Sequence, residues 1–120
     1  MTSTDYKFEL YKANNGQWAW RFKAPNHRIV ATGGETYHNK ADAINGITLV
    51  KQHAPREDGG CKFELFVATN SQWSWRFKAS NGLSVAFAGE TYHNQSDAQH
   101  GINLVKMYAP SARVNELVPA

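Results

Sequence analysis

The chain repeats itself. Lys7–Pro55 aligns without a gap on Lys62–Pro110, and roughly 31 of the 49 aligned positions are identical. "QWAWRFKA" (Gln17–Ala24) returns as "QWSWRFKA" (Gln72–Ala79), and "NGITLVKQHAP" returns as "HGINLVKMYAP". "GETYHN" stands unchanged at Gly34–Asn39 and Gly89–Asn94. A unit of about 49 residues buries too little surface to fold well alone, whereas two copies can share one core. We therefore expect one pseudo-symmetric domain over residues 1–120, with repeat 1 at about 6–58 and repeat 2 at about 61–118. The connector Arg56–Gly60 is short and polar, which suits neighbours in contact.

Within each copy the hydrophobic period changes in the same order. "KFELY" alternates, with Phe8 and Leu10 on one face and Lys7, Glu9 and Tyr11 on the other, as in a strand. "NNGQ" then reads as a hairpin turn, Asn15-Gly16 matching the type I′ preference, with the poorer Asn70-Ser71 in the second copy. In "WAWRFKA" Trp18, Trp20 and Phe22 share one face, and Ala19, Arg21 and Lys23 the other. "RIVAT" and "LSVAF" read as third strands. From Asn39 to about His53 the period lengthens: Ala43, Ile47, Val50 and Ala54 mark an amphipathic helix ending before a proline. Gly46 and Gly101 lie on or beside its apolar face, at a cost of about 1 kcal/mol relative to Ala, which points to close approach of helix and sheet. After the second helix, Ala112–Val118 can form a further strand.

The duplicated "GETYHN" admits two readings. In one it is turn chemistry: Asn39 is an N-cap whose side chain accepts an orphan helix N–H, Asp42 and Asp97 favour the helix dipole, and Tyr37 and Tyr92 pack beneath the helix. In the other, Glu35 with His38 and Glu90 with His93 are acid–base or metal pairs. A metal site needs three or four ligands, and no further His or Cys repeats to complete one. We expect the turn reading, with no catalytic residue, cofactor or metal. No phosphate loop, dinucleotide fingerprint, nucleophile elbow or zinc-finger spacing occurs.

Two candidate binding features remain. The Trp18/Trp20 and Trp73/Trp75 pairs suit either stacking on bases or sugars or filling a core beneath a helix, and the core is the expectation. Arg21, Lys23, Arg76 and Lys78 lie on the opposite strand face. Two symmetric copies could join them into one patch that contacts anions or nucleic acid; the alternative is a solvated face that keeps the sheet soluble. The net charge of +3 permits such a partner without requiring one. The single Cys61 cannot form an internal disulfide, and "MTSTDYKFEL" has no signal-peptide pattern, so a cytoplasmic setting and no membrane association are expected.

The pattern F-E-[LIV]-[YF]-x(6)-W-x-[WF]-R-[LF]-K-A, followed by A-x-x-G-E-x-Y and N-G-I-x-x-V-K-x-x-A-P, resembles the YegP-like family, also called UPF0339 or DUF1508. Both copies carry it, with one departure at His100, where the first copy has Asn45. The resemblance implies an α+β fold: two tandem β-β-β-α-β repeats sharing one antiparallel-rich sheet, with exchanged C-terminal strands and the helices packed on one face. It suggests that Ala112–Val118 pairs with the first copy, and that the tandem chain is a monomer mimicking a dimer. It carries over no catalytic residue and no established activity. The expectation is a small non-enzymatic binding or accessory protein, its partner nucleic acid or another protein.

Overall fold

A computed structural model describes residues 5–33 and 36–117. Three strands, β1 (Lys7–Lys12), β2 (Trp18–Lys23) and β3 (Ile29–Gly33), lead into helix α1 (Lys40–His53). The second copy repeats them as β4 (Lys62–Val67), β5 (Trp73–Lys78), β6 (Ser84–Ala88) and α2 (Gln95–Tyr108). A 3-10 turn at Ala109–Ser111 and a last strand, β7 (Arg113–Glu116), follow. All seven strands form one sheet in the order β4-β5-β6-β3-β2-β1-β7. Every pairing is antiparallel except β1 with β7.

The two copies meet at β3 and β6. Thr32 pairs directly with Phe87, its own counterpart in the other copy, so the pseudo-twofold axis runs between them. Each helix lies over its own strands and also over the third strand of the other copy. The core is therefore continuous across the axis: Phe8, Leu10, Trp20 and Phe22 join Trp75, Phe77, Ile102 and Val105 in a single cluster. Ala43, Ile47, Val50 and Ala54 are all buried, as their spacing predicts. The indoles of Trp20 and Trp75 are inside, which settles the core reading for these two; Trp18 and Trp73 pack at its margin.

Gly46 and Gly101 explain themselves here. A Cβ on Gly46 would stand 3.1 Å from Trp20 Nε1 and 3.0 Å from the Tyr37 hydroxyl. On Gly101 it would stand 3.0 Å from both Trp75 Nε1 and the Tyr92 hydroxyl. The helices ride on the indole edges, and a methyl group there would force the indole or the tyrosine to give way slightly.

The turns depart from the type I′ expectation. Ala13 and Gln17 close the first hairpin, Gly16 N–H donates to the Ala13 carbonyl, and only Gly16 has positive φ. That is a three-residue loop with glycine at the left-handed position, not a two-residue one. The second copy places Ser71 there at φ 67. The next hairpin reverses the exchange, with His27 at φ 70 in the first copy and Gly82 in the second.

The strand exchange is one-sided. After α2 the chain reaches the β1 edge and lays β7 along it, with Phe8 opposite Val114. After α1 the chain reaches the β4 edge but adds no strand. Glu57, the counterpart of Ala112, has φ 51 and turns the chain straight into β4. Val118 of the expected last strand lies outside the described residues.

Candidate functional site

Both helices cover one face of the sheet. The other face is assembled from strand alternation: Lys7, Glu9 and Tyr11 on β1, and Ala19, Arg21 and Lys23 on β2, with Lys62, Glu64 and Phe66 on β4 and Ser74, Arg76 and Lys78 on β5. The register aligns a row across all seven strands. It runs Glu64, Arg76, Phe87, Thr32, Arg21, Glu9, Asn115. At the ordinary strand spacing this row is about 29 Å long.

Each copy builds the same cluster. Arg21 Nε donates to Glu9 Oε1 at 2.7 Å, and its guanidinium lies 4.8 Å from the Tyr11 ring centre. Arg76 Nε donates to Glu64 Oε1 at 2.8 Å and lies 4.8 Å from the Phe66 ring centre. Lys7 and Lys23 approach Glu9 to 3.8 and 3.7 Å, and Lys78 approaches Glu64 to 3.8 Å. Burial pushes the Glu9 carboxyl up, but the Arg21 hydrogen bond and the charges of Arg21, Lys23 and Lys7 outweigh it and hold it below the ordinary value. At Glu64 the Arg76 hydrogen bond leads, and the result has the same direction.

All four cations named from the sequence therefore lie on one face, but in two symmetric sets separated by β6 and β3 and not in one joined patch. They are not a loose solvated fringe: a carboxylate and an aromatic ring orient each guanidinium. Sequence reasoning set Glu9 and Tyr11 on the strand face opposite Phe8 and Leu10, but did not join them, or Glu64 and Phe66, to the four cations. The alternation places them there, but only the cross-strand register shows which arginine each one meets. On β1, β2, β4 and β5 six cations (Lys7, Arg21, Lys23, Lys62, Arg76 and Lys78) stand against two carboxylates, and β7 adds Arg113 opposite Lys7.

"GETYHN" serves as a clasp. Tyr37 pairs with Trp18, and Tyr92 with Trp73, as isolated bridges outside the strands. Thr36 Oγ1 donates to Gln17 Oε1, and Thr91 Oγ1 donates to Gln72 Oε1. His38 meets the Gln17 amide at 3.3 Å, and Glu90 is ion-paired with Arg28 of the other copy. His93 is exposed. Glu35 lies outside the described residues.

Asn39 and Asn94 occupy the N-cap positions, but the capping mechanism differs from expectation. Neither side chain accepts a helix N–H. Their amides instead reach the carboxylates of Asp42 and Asp97, at 3.5 and 3.3 Å. Asn39→Ala is accordingly expected to cost only about 0.5 kcal/mol, the low end for a cap. Thermal unfolding checks this; a loss near 2 kcal/mol would restore the side-chain cap.

The exchange of helix partners also creates two clefts that no local pattern announces. One, of about 450 Å³, lies between α2 and the β2–β3 hairpin of the first copy, lined by Arg28, Ile29, Glu90, Tyr92, Asp97 and His100 among others. Its counterpart, with Leu83, Ser84 and Asn45 at the matching positions, measures about 170 Å³. No helix among the described residues is long and apolar enough to cross a membrane.

A family model described as a domain of unknown function, DUF1508, matches residues 13–58 and again 68–116. A UPF0339 protein of Pseudomonas aeruginosa is 34% identical over 110 residues, covering 92% of this chain and 96% of the relative. A UPF0339 protein of Treponema denticola is 41% identical over 49 residues, which is 83% of its own length but 41% of this chain. The solution structure of yegP from E. coli, titled a protein of unknown function, superposes with a TM-score of 0.84 at 26% identity, covering 98% of this chain and 97% of that one. The chain belongs to the DUF1508 (UPF0339) family.

Proposed function

We propose that this two-copy DUF1508 protein is a non-enzymatic binding protein whose ligand is single-stranded nucleic acid, held across the open face of the sheet. One observation carries the reading: the two clusters present cations beside aromatic rings on a helix-free surface. Single-stranded nucleic acids ask for that combination, a positive track for phosphates and flat faces for bases. Glu9 and Glu64 take the Nε of each arginine, so these carboxylates orient the guanidinium groups as well as reducing their charge. The first copy carries the greater positive charge, and we place the stronger contacts there. A cytoplasmic setting belongs to the same proposal.

The test is titration of a fluorescent single-stranded oligouridine. With four net positive charges on β1, β2, β4 and β5 of this face, affinity should fall about fifty-fold between 50 and 200 mM salt. Arg21→Gln combined with Arg76→Gln should weaken binding at low salt and flatten the salt dependence. Glutamine is chosen because a carboxylate beside the nearly buried Glu9 would unfold the strand pair. Absence of binding at 50 mM salt, or affinity unchanged in the double variant, would remove this reading.

A further inference from the structure

The equivalent strands β1 and β4 differ in what lies on their outer side. Along β1, strand β7 runs parallel, and Leu117 N–H donates to the Leu10 carbonyl at 2.7 Å. Phe8 and Leu10 are fully buried there. Among the described residues the equivalent β4 has only β5 as a neighbour, and Phe63 and Leu65 are partly exposed. By the same alternation, the backbone groups of Phe63 and Leu65 face outward at this edge.

Among the described residues the edge is closed at one point. Lys51 Nζ donates to the carbonyl of Ala112 at 2.8 Å, where β7 begins. The counterpart lysine, Lys106, donates to Glu57 Oε1 at 3.0 Å, and Phe63 N–H donates to Glu57 Oε2 at 3.0 Å. The carboxylate of Glu57 thus stands in for the backbone of an arriving strand. It satisfies the first donor of the edge, the Phe63 N–H, and leaves Leu65 beyond it.

We propose that the β4 edge is a strand-acceptor site for an extended segment of a partner protein, docked parallel to β4 as β7 docks on β1, with the Glu57 carboxylate as its displaceable stopper. The occupant follows from the internal template: a small residue where Ala112 sits, a β-branched residue where Val114 sits, and a free N–H where Leu117 sits. Main-chain hydrogen bonds supply the affinity of such an added strand, and the alternating side chains supply its selectivity. The acidic position differs. Glu116 meets Lys40 beside β1, whereas the matching helix residue beside β4 is Gln95, so a neutral side chain suits the new site.

The probe is a capped synthetic peptide with the sequence of residues 112–117 and glutamine in place of its glutamate, added to the isotope-labelled full chain. Amide exchange of Leu65 should slow at least about tenfold at saturating peptide. Glu57→Ala should tighten peptide binding, and N-methylation of the peptide's last amide should abolish it while leaving the protein untouched. Protection confined to Phe8 and Leu10 would mean competition with β7 and would overturn the proposal. So would exchange at Leu65 unchanged by the peptide in both the native chain and Glu57→Ala. Dimerisation of Glu57→Ala without peptide, seen by sedimentation, would make a second copy the occupant and overturn the assignment to a partner's segment.

Discussion

Trp20→Ala is expected to destabilise the protein by about 3–5 kcal/mol, and Trp75→Ala by a similar amount. Both side chains are buried beneath a helix glycine at equivalent places in the two copies. Each lies in the cluster that crosses the pseudo-twofold axis, so neither loss stays within one half. Urea unfolding of either variant should show one transition, with both halves lost together. A biphasic curve, in which one copy melts while the other persists, would contradict a shared core. Among the described residues the indole N–H groups have no hydrogen-bond partner, so part of each ring's gain in burial already offsets a polar penalty. Trp20→Phe should therefore cost far less than Trp20→Ala.

The second large effect concerns Glu9. Its side chain is 7% exposed and faces Lys7, Arg21 and Lys23. Glu9→Ala leaves three cations around an uncompensated pocket and is expected to cost about 3 kcal/mol, the lower end for breaking a buried ionic group because the cations retain some water. Glu64→Ala should cost distinctly less, since that side chain is 27% exposed. Denaturant midpoints of the two variants make the comparison. A pH dependence follows with a definite sign. The native Glu9 carboxyl titrates below its ordinary value of 4.5. Its contribution is therefore complete above that value and is lost as pH falls through the lower native value. Subtracting the acid unfolding profile of Glu9→Ala from that of the native chain should isolate this loss. A difference that grows toward acid pH would mean that the carboxyl is instead held above its ordinary value.

Much of the fold is legible from residue order, because period and turn chemistry are local. The alternation in "KFELYK" and "WAWRFK" marks strands, and the spacing of Ala43, Ile47, Val50 and Ala54 marks a helix face. The third strands lie one residue later than expected, at Ile29–Gly33 and Ser84–Ala88, since the preceding hairpins have three-residue loops. The four cations were legible as a face. Their carboxylate and aromatic partners were not, because register depends on turn geometry that a one-residue difference alters.

The amino-acid sequence by itself determined the duplication, the α+β class, the inward indoles and the outward guanidinium groups, all of which follow from spacing within a few residues. The family resemblance already suggested that the last strand pairs with the first copy; only the tertiary structure decided that "KFELF" in the other remains an edge among the described residues. It also decided that Glu9 is nearly dry while Glu64 is wet, and that Glu57 fills the place of a strand. These outcomes depend on where residues 57 and 112 arrive after crossing the molecule. Burial at an edge is set by what the rest of the chain brings there, and no local pattern encodes that.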